Sequence, residues 1–430
     1  MQYARCMTTL TYSDGYDRHD VVHQSVAVPR ILLFLKRHPP ARPLFPFLKR
    51  LVIDFSQPGW VEDLLPYISS PSLQFLSIKY NARKYSHPKR ILVFISYLIE
   101  GIPSLRTMKL KLRGSFEPYT DLFAQSQNHS KLRHLNLDCP TLLASSFSRV
   151  AQFPSLRQLT IRLKQRLPPL PEHSIALPWL EILELRVSET KFAISFFGCI
   201  ENLPKAACIF ISIEQIIPFK HELEQVSCQI SRLCSSMFFR TLDVSFHDFG
   251  AHHTGLPPLM PEDPGYTFQA LLPLVTSFSL QVFCLSVQLP LLHPSSNCMA
   301  RVANSWADLT SITIDPGYLI PLNGLSAVCF CDLLPFFQVC KRLRRLYIHF
   351  QHSLSNDLPF GTQATQLYDL GLGYIPSRSK EILVLARWLQ VAMPALPAIT
   401  LVNRSGDRKS YNIDELTEDS VDDETAHEEV

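Results

Sequence analysis

Apolar residues recur along the chain in one short frame: a Leu, an apolar residue three positions later, and another two positions after that. In six places a Pro stands two residues before the first Leu, at 46–53, 71–78, 103–110, 154–161, 178–185 and 394–401. The frame occurs without the Pro at 132–137, 239–244, 309–314, 343–348 and 367–372, and more loosely at 7–10 and 280–285. About thirteen related units of this kind predict a repeat architecture.

The spacing of these units is that of leucine-rich repeats. Several successive starts lie 24 to 29 residues apart, which is within the range of that repeat class. A gap of 59 residues separates Leu180 from Phe239, and we expect a degenerate unit inside it, near 208–213. The repeats are therefore expected to be irregular between 188 and 280.

The frame also predicts the secondary structure of each unit. Its last two apolar positions are separated by one residue, and a period of two places them on the buried face of a strand. Apolar stripes with helical spacing lie between frames, at 91–98, 223–233 and 382–389, and a Pro ahead of a strand is expected to end each helix. Such units predict an α/β leucine-rich-repeat solenoid, a curved array with parallel strands on its concave face and helices on its convex face.

Composition narrows the class of protein. The chain is 46% hydrophobic and has only 14 Gly, which disfavours folds built on glycine-rich phosphate loops. It has no apolar run long enough to span a bilayer and no secretory signal, so a cytoplasmic or nuclear protein is expected. Its 11 Cys include no Cys-x-x-Cys pair, and we expect reduced thiols that act as small core residues, among them Cys208, Cys284 and Cys329.

Charge separates the end of the chain from the rest. The net charge is +3, but from residue 407 onward ten acidic residues stand against Arg408 and Lys409. This composition predicts a repeat domain over 1–404 and a disordered acidic tail over 405–430. The tail is a candidate to mask a basic surface elsewhere in the chain.

Outward positions on the predicted strands carry the candidate binding residues, because a solenoid presents its concave strands to partners. Lys79, Lys109, Lys111, Arg113 and Arg162 could form one basic strip, with His134 and Arg186 beside it. A second cluster, Arg345, Tyr347 and His349, follows Lys341, Arg342 and Arg344. The strip would attract a protein partner through an acidic or phosphorylated segment. The alternative is that these are ordinary solubilising charges, and nucleic acid is not expected.

No motif predicts catalysis. The sequence lacks the nucleophile elbow, the phosphate loop, the dinucleotide fingerprint and the zinc-protease helix motif. His252 and His253 lie in a Pro-rich loop without further ligands at fixed spacing, so neither a metal nor a cofactor is expected. An enzyme whose site is not visible in sequence stays an alternative, as does a scaffold unconnected to ubiquitin.

The residues also resemble a known family. The stretches 3–13, 18–23 and 44–51 are similar to the sequence that follows the F-box in leucine-rich-repeat F-box proteins of mushroom-forming (basidiomycete) fungi. This resemblance covers the chain to about Val402. It implies the substrate-recognition domain of an SCF-type ubiquitin ligase, whose F-box would bind the Skp adaptor and, through it, a cullin.

The chain departs from that family in two ways. Repeat-like sequence begins within ten residues of Met1, and the nearest match to an F-box opening, Leu170-Pro171-Glu172, lies inside the array. We expect that an F-box was lost or lies upstream, and only the latter would allow ligase recruitment. In addition, only Asn81 occupies the position after a strand where many leucine-rich repeats carry Asn, so other groups are expected to satisfy the turn backbone.

Overall fold

Parallel strands form at the recurring apolar frames in the computed structural model of the chain. The structure describes residues 7–13, 44–55, 70–81, 102–113, 130–138, 144–164, 175–214, 220–246, 268–286, 296–315, 328–348, 352–353, 366–372, 385–387, 389–390, 393, 396–402 and 408–412. The chain divides into two compact units, Met1–Ala206 and Ala207–Val430.

Unit 1 is built on a parallel sheet whose strands follow chain order. Its strands are β1 (Thr9–Ser13), β2 (Arg50–Phe55), β3 (Phe75–Asn81), β4 (Thr107–Arg113), β5 (His134–Asp138), β6 (Gln158–Leu163), β7 (Ile175–Ala176), β8 (Ile182–Val187) and β9 (Ile200–Asn202). The sheet order is β1-β2-β3-β4-β5-β6-β8, while β7 and β9 pair separately. The helices described in this unit are α1 (Ala144–Val150) and α2 (Thr190–Gly198).

Unit 2 repeats this arrangement. Its strands are β10 (Cys208–Ile213), β11 (Thr241–Phe246), β12 (Val282–Ser286), β13 (Ser311–Asp315), β14 (Val328–Cys329), β15 (Arg345–Ile348), β16 (His352–Ser353), β17 (Asp369–Leu372), β18 (Ala398–Val402) and β19 (Arg408–Asn412). The helices are α3 (Lys220–Leu233), α4 (Leu272–Ser277), α5 (Ser296–Ser305) and α6 (Leu334–Val339), with short 3-10 helices at Phe268–Leu271 and Phe330–Leu333. The main sheet is parallel in the order β10-β11-β12-β13-β15-β17-β18, and β14 pairs with β16.

Strand residues alternate between core and surface, as the frame predicts. In β3, Leu76 and Ile78 are fully buried, whereas Ser77 and Lys79 between and after them are half-buried. The parallel partners of Leu76 and Ile78 in β4 are Met108 and Leu110, so the buried rows run from strand to strand. The fold class predicted from the sequence, an α/β repeat of consecutive parallel strands alternating with helices, is confirmed.

The Pro of the frame opens a tight turn immediately before the strand. The N–H of Leu48 donates to the carbonyl of Phe45 at 3.1 Å, and the N–H of Leu73 donates to that of Ser70 at 3.0 Å. These four-residue turns place the Pro at their second position, where its fixed φ is favourable.

Serine hydroxyls link the turns that precede the strands of neighbouring units. The residue after the Pro donates from its Oγ to a backbone carbonyl in the turn of the preceding unit. These bonds join Ser72 to Pro46 (3.1 Å), Ser104 to Pro71 (2.5 Å) and Ser155 to Ser130 (2.5 Å). The turns of neighbouring units are thereby linked to each other as well as to their own strands.

The degenerate unit predicted near 208–213 is present as β10. Its frame is hard to see because Ala206 occupies the position of the first Leu. Among the described parts of the predicted helical stripes, 223–233 lies in α3 with Leu223, Val226 and Ile230 buried. Leu385, Ala386 and Leu389 are also buried, while 91–98 lies outside the described residues.

The start of the acidic tail needs correction. Arg408–Asn412, inside the tail predicted from 405, forms β19 and pairs antiparallel with β18. This strand satisfies backbone groups that β18 would otherwise expose at the edge of the sheet. Residues 413–430 lie outside the described part of the chain.

Two cysteines predicted in the core lie on the outward face of their strands. Cys208 and Cys284 are half-buried, because Ile209 and Phe283 take the inward positions beside them. The side chain of Cys329 lies outside the described residues. Across the described helices, none is both long and apolar enough to cross a bilayer.

Candidate functional site

A row of charged side chains crosses the outward face of unit 1. Because neighbouring strands pair in parallel, each contributes one residue at the same level. The members of this charged row, in strand order from β2 to β8, are Asp54, Lys79, Lys111, Asp138, Arg162 and Arg186. Neighbouring members are one strand spacing apart, about 4.8 Å.

A cleft of roughly 200 Å³ lies over the middle of the charged row. Five cations and one carboxylate line it, together with hydroxyl and amide groups from the adjacent row. The lining residues are Ser77, Lys79, Lys109, Leu110, Lys111, Asn136, Leu137, Asp138, Thr160, Arg162 and Arg186. Most of them are outward-facing residues of β3 to β8, so the sheet itself fixes their positions.

The two ends of the charged row are neutralised by direct ion pairs. Lys79 Nζ contacts the carboxylate of Asp54 on the neighbouring strand. Arg186 donates from Nε to Glu184 Oε1 at 2.9 Å, and the hydroxyl of Thr160 donates to the other oxygen of the same carboxylate at 3.1 Å. Glu184 is therefore held on both of its oxygens.

The centre of the row is less completely neutralised. Asp138 lies 3.7 Å from Lys111 Nζ and 3.6 Å from Arg162 Nη1, and both distances are too long for direct hydrogen bonds. Lys109 lies 5.9 Å from the ring centroid of Phe75 and has no carboxylate partner within the part of the chain that the structure describes. Lys111 and Arg162 therefore flank one carboxylate without a direct hydrogen bond to it, and Lys109 adds a further positive charge beside them.

This arrangement favours binding of oxyanions. Lysine and arginine supply charged N–H donors, and Ser77 and Asn136 add neutral donors beside them. A carboxylate or phosphate group in the cleft would accept from several of these donors at once. The cations are partly exposed, the side chains of Lys111 and Arg162 being 39% and 28% accessible, so salt will screen such binding.

The structure places the predicted basic strip in two rows. Lys79, Lys111 and Arg162 belong to the charged row, and Lys109 lies one row nearer the strand starts. Arg113 ends β4 opposite Asn81, and its side chain lies outside the described residues. Asp138 interrupts the positive charge of the strip, and Asp54 lies at its end beside Lys79.

His134 lies apart from this cleft. It is the first residue of β5, four residues before Asp138, and is exposed. Its Nδ1 is 3.2 Å from the hydroxyl of Thr107 on the neighbouring strand.

In unit 2 the described residues of the second predicted cluster contact neighbouring strands. Arg345 donates from Nε to Asp369 Oδ2 at 2.8 Å. Tyr347 lies against Gly371 on the next strand and donates from its hydroxyl to Thr400 Oγ1 at 2.9 Å. Tyr347 is therefore packed across the sheet and is not a freely exposed aromatic. His349, His252 and His253 lie outside the described residues.

Sequence reasoning missed the partners of the cations. Asp54 occupies an outward strand position, but only the register of β2 with β3 shows that it lies beside Lys79. Asn136 and Thr160 were missed because a charge-based search passes over neutral donors, although the period of two places both on the outward face.

Comparison with known proteins adds no family to this description. No protein-family model matches the chain, and no curated protein matches it.

Proposed function

We propose that the chain is a non-enzymatic scaffold for protein–protein interaction, and that the cleft of unit 1 holds an acidic segment of its partner. The observation that carries this proposal is the incomplete neutralisation at the centre of the charged row. Lys109 has no carboxylate partner among the described residues, and Lys111 lies 3.7 Å from Asp138, too far for a direct hydrogen bond. A partner segment with carboxylate or phosphate groups would supply the missing negative charge.

The outward face of a sheet is suited to binding an acidic segment because the strands beneath it are anchored in the core. Each cation extends from a strand whose inward neighbours are fully buried, as Leu110 and Leu137 are on either side of the cleft centre. The backbone from which each charged side chain extends is thus fixed before a partner arrives, which lowers the ordering cost of binding.

The decisive experiment compares two variants in which each substituted lysine is replaced by glutamate. Lys109→Glu/Lys111→Glu reverses the centre of the cleft, whereas Lys191→Glu alters an exposed lysine of α2 in the same unit. Tagged wild-type and variant chains are used to isolate partners from cells of the source, and zero-length carboxylate–amine crosslinking identifies the partner segments that contact Lys109 and Lys111.

The proposal predicts a partner that crosslinks through an acidic segment and is recovered at least about tenfold less with the double variant, equivalent to about 1.4 kcal/mol. Recovery with Lys191→Glu should be unchanged. Phosphatase treatment of the lysate distinguishes phosphate groups from carboxylate groups, because only a phosphorylated segment would lose binding. Equal recovery by all three chains would refute a role for the cleft.

A narrower version of the proposal places the scaffold in a ubiquitin ligase. It rests on the resemblance to the repeat domain of F-box proteins, and it requires an F-box upstream of Met1. Its test is isolation of the chain with and without the upstream genomic sequence, with detection of the Skp adaptor and cullin. Recovery with the extended form supports a ligase receptor, and absence from both forms leaves a scaffold unconnected to ubiquitin.

A further inference from the structure

A second basic surface lies at the edge of unit 2 where its strands begin. We define the basic turn as Lys341, Arg342, Arg344 and Arg345, which lead into β15. Arg344 is fixed at this edge by its backbone, because its N–H donates to the carbonyl of Thr310 at 2.9 Å and its carbonyl accepts from Tyr368 at 3.1 Å. The basic turn is therefore part of the repeat framework.

Only half of this positive charge is compensated. Arg345 pairs with Asp369 at 2.8 Å, and Arg342 lies 3.6 Å from Asp308. Lys341 and Arg344 are exposed, and neither has a carboxylate partner in the described ranges. The basic turn thus carries an excess charge of +2 at a position open to a negatively charged ligand.

The last strand returns the chain to this same edge. Because β19 runs antiparallel to β18, its final residue, Asn412, lies opposite Ala398, the first residue of β18. β18 pairs in parallel with β17, and β17 pairs in parallel with β15. In this register, Ala398 lies at the same height along the strands as Arg345. Asn412 is therefore three strand spacings from β15, about 14 Å.

The sequence that follows Asn412 is complementary to the basic turn. Residues 413–430 contain nine carboxylates and neither Lys nor Arg. An extended chain advances at most about 3.3–3.6 Å per residue, so about four residues suffice to cover this distance. The acidic residues of 418–424 come after that minimum, and they are the first group that can lie over Lys341 and Arg344.

We infer that residues 413–430 bind the basic turn of their own chain. The acidic segment supplies carboxylates to Lys341 and Arg344, which have no carboxylate partner among the described residues. This contact is independent of the cleft in unit 1, which involves different residues.

Zero-length carboxylate–amine crosslinking of the full chain tests the inference, because Lys341 offers an amine at the basic turn. The expected product joins Lys341 to an acidic residue of 413–430. Its yield should fall about fivefold in Arg344→Glu, which corresponds to about 1 kcal/mol. It should also fall in 1 M salt, where the screening length is about 3 Å.

Arg301→Glu is the matched control, since Arg301 is an exposed arginine of α5 and lies outside the basic turn. It makes the same change of charge and should leave the yield unaltered. A mixture of 14N- and 15N-labelled chains shows whether the product forms within one molecule. The inference is overturned by products of mixed label, by crosslinks that favour the lysines of the cleft over Lys341, or by a yield insensitive to Arg344→Glu.

Discussion

The packing of Tyr347 against Gly371 gives a sharp prediction for stability. A Cβ added at Gly371 would lie 2.4 Å from Tyr347 Cδ1, 2.5 Å from Cε1 and 2.7 Å from Cγ. Optimal carbon–carbon contacts are about 3.5–4.0 Å, so the ring must move by about 1 Å or more in Gly371→Ala. That movement takes the Tyr347 hydroxyl away from Thr400, to which it donates at 2.9 Å.

The cost of Gly371→Ala follows from these two losses. Overpacking of a fixed site costs about 1–3 kcal/mol, and loss of one part-buried hydrogen bond costs about 1 kcal/mol. We therefore expect the free energy of unfolding to fall by about 2–4 kcal/mol in urea denaturation. The single variant Tyr347→Phe keeps the ring and should lose only the hydrogen-bond part, about 1 kcal/mol.

A double-mutant cycle separates the clash from any general effect of replacing glycine in a strand. In a Tyr347→Ala background the ring is absent, and Gly371→Ala should cost less than about 1 kcal/mol, a coupling of at least about 1 kcal/mol. Any change that Gly371→Ala makes to the unfolded chain is common to both backgrounds and cancels. Equal costs in the two backgrounds would show that the ring does not lie over Gly371 in solution.

Three further outcomes are expected. Ser104→Ala removes a donor to two backbone carbonyls of the preceding unit and should lower the free energy of unfolding by about 1–2 kcal/mol in urea denaturation, whereas no change would argue against the serine links. Burial raises the pKa of Cys234 and of Cys340 to about 12, so at pH 8 the folded chain should be alkylated at the exposed Cys228 long before either, as peptide mass spectrometry would show. Leu183→Ala, at a fully buried strand position, should cost about 2–5 kcal/mol in the same denaturation assay, and a cost below about 1 kcal/mol would contradict its place in the core.

Most strands could be located from the sequence because the apolar frame is local. Leu76 and Ile78 belong to one frame, and their burial follows from the alternation of side chains along a strand. The exceptions have specific causes. Ala206 replaces the first Leu of the frame ahead of β10. The strand β19 has no apolar frame, because it is held by backbone pairing with the antiparallel strand β18.

The candidate site could be predicted only in part, because its electrostatics depend on contacts between units. Outward positions such as Lys111 follow from the period of two. The carboxylate that faces Lys111, Asp138, lies 27 residues further along the chain, and only the strand register shows that the two are neighbours. The packing of Tyr347 could not be predicted for the same reason, since the glycine that it contacts is on the next strand.

The charged row also bears on how such a chain can acquire a new binding preference. Each strand of the main sheet from β2 to β8 adds one side chain to the row, while the residues on either side of it are anchored in the interior. A single substitution therefore changes one point of the surface pattern and leaves the packing intact. Duplication or loss of a whole unit would shift the pattern by one strand spacing, about 4.8 Å. Selection can then alter recognition in discrete steps, one strand at a time, without first redesigning the fold.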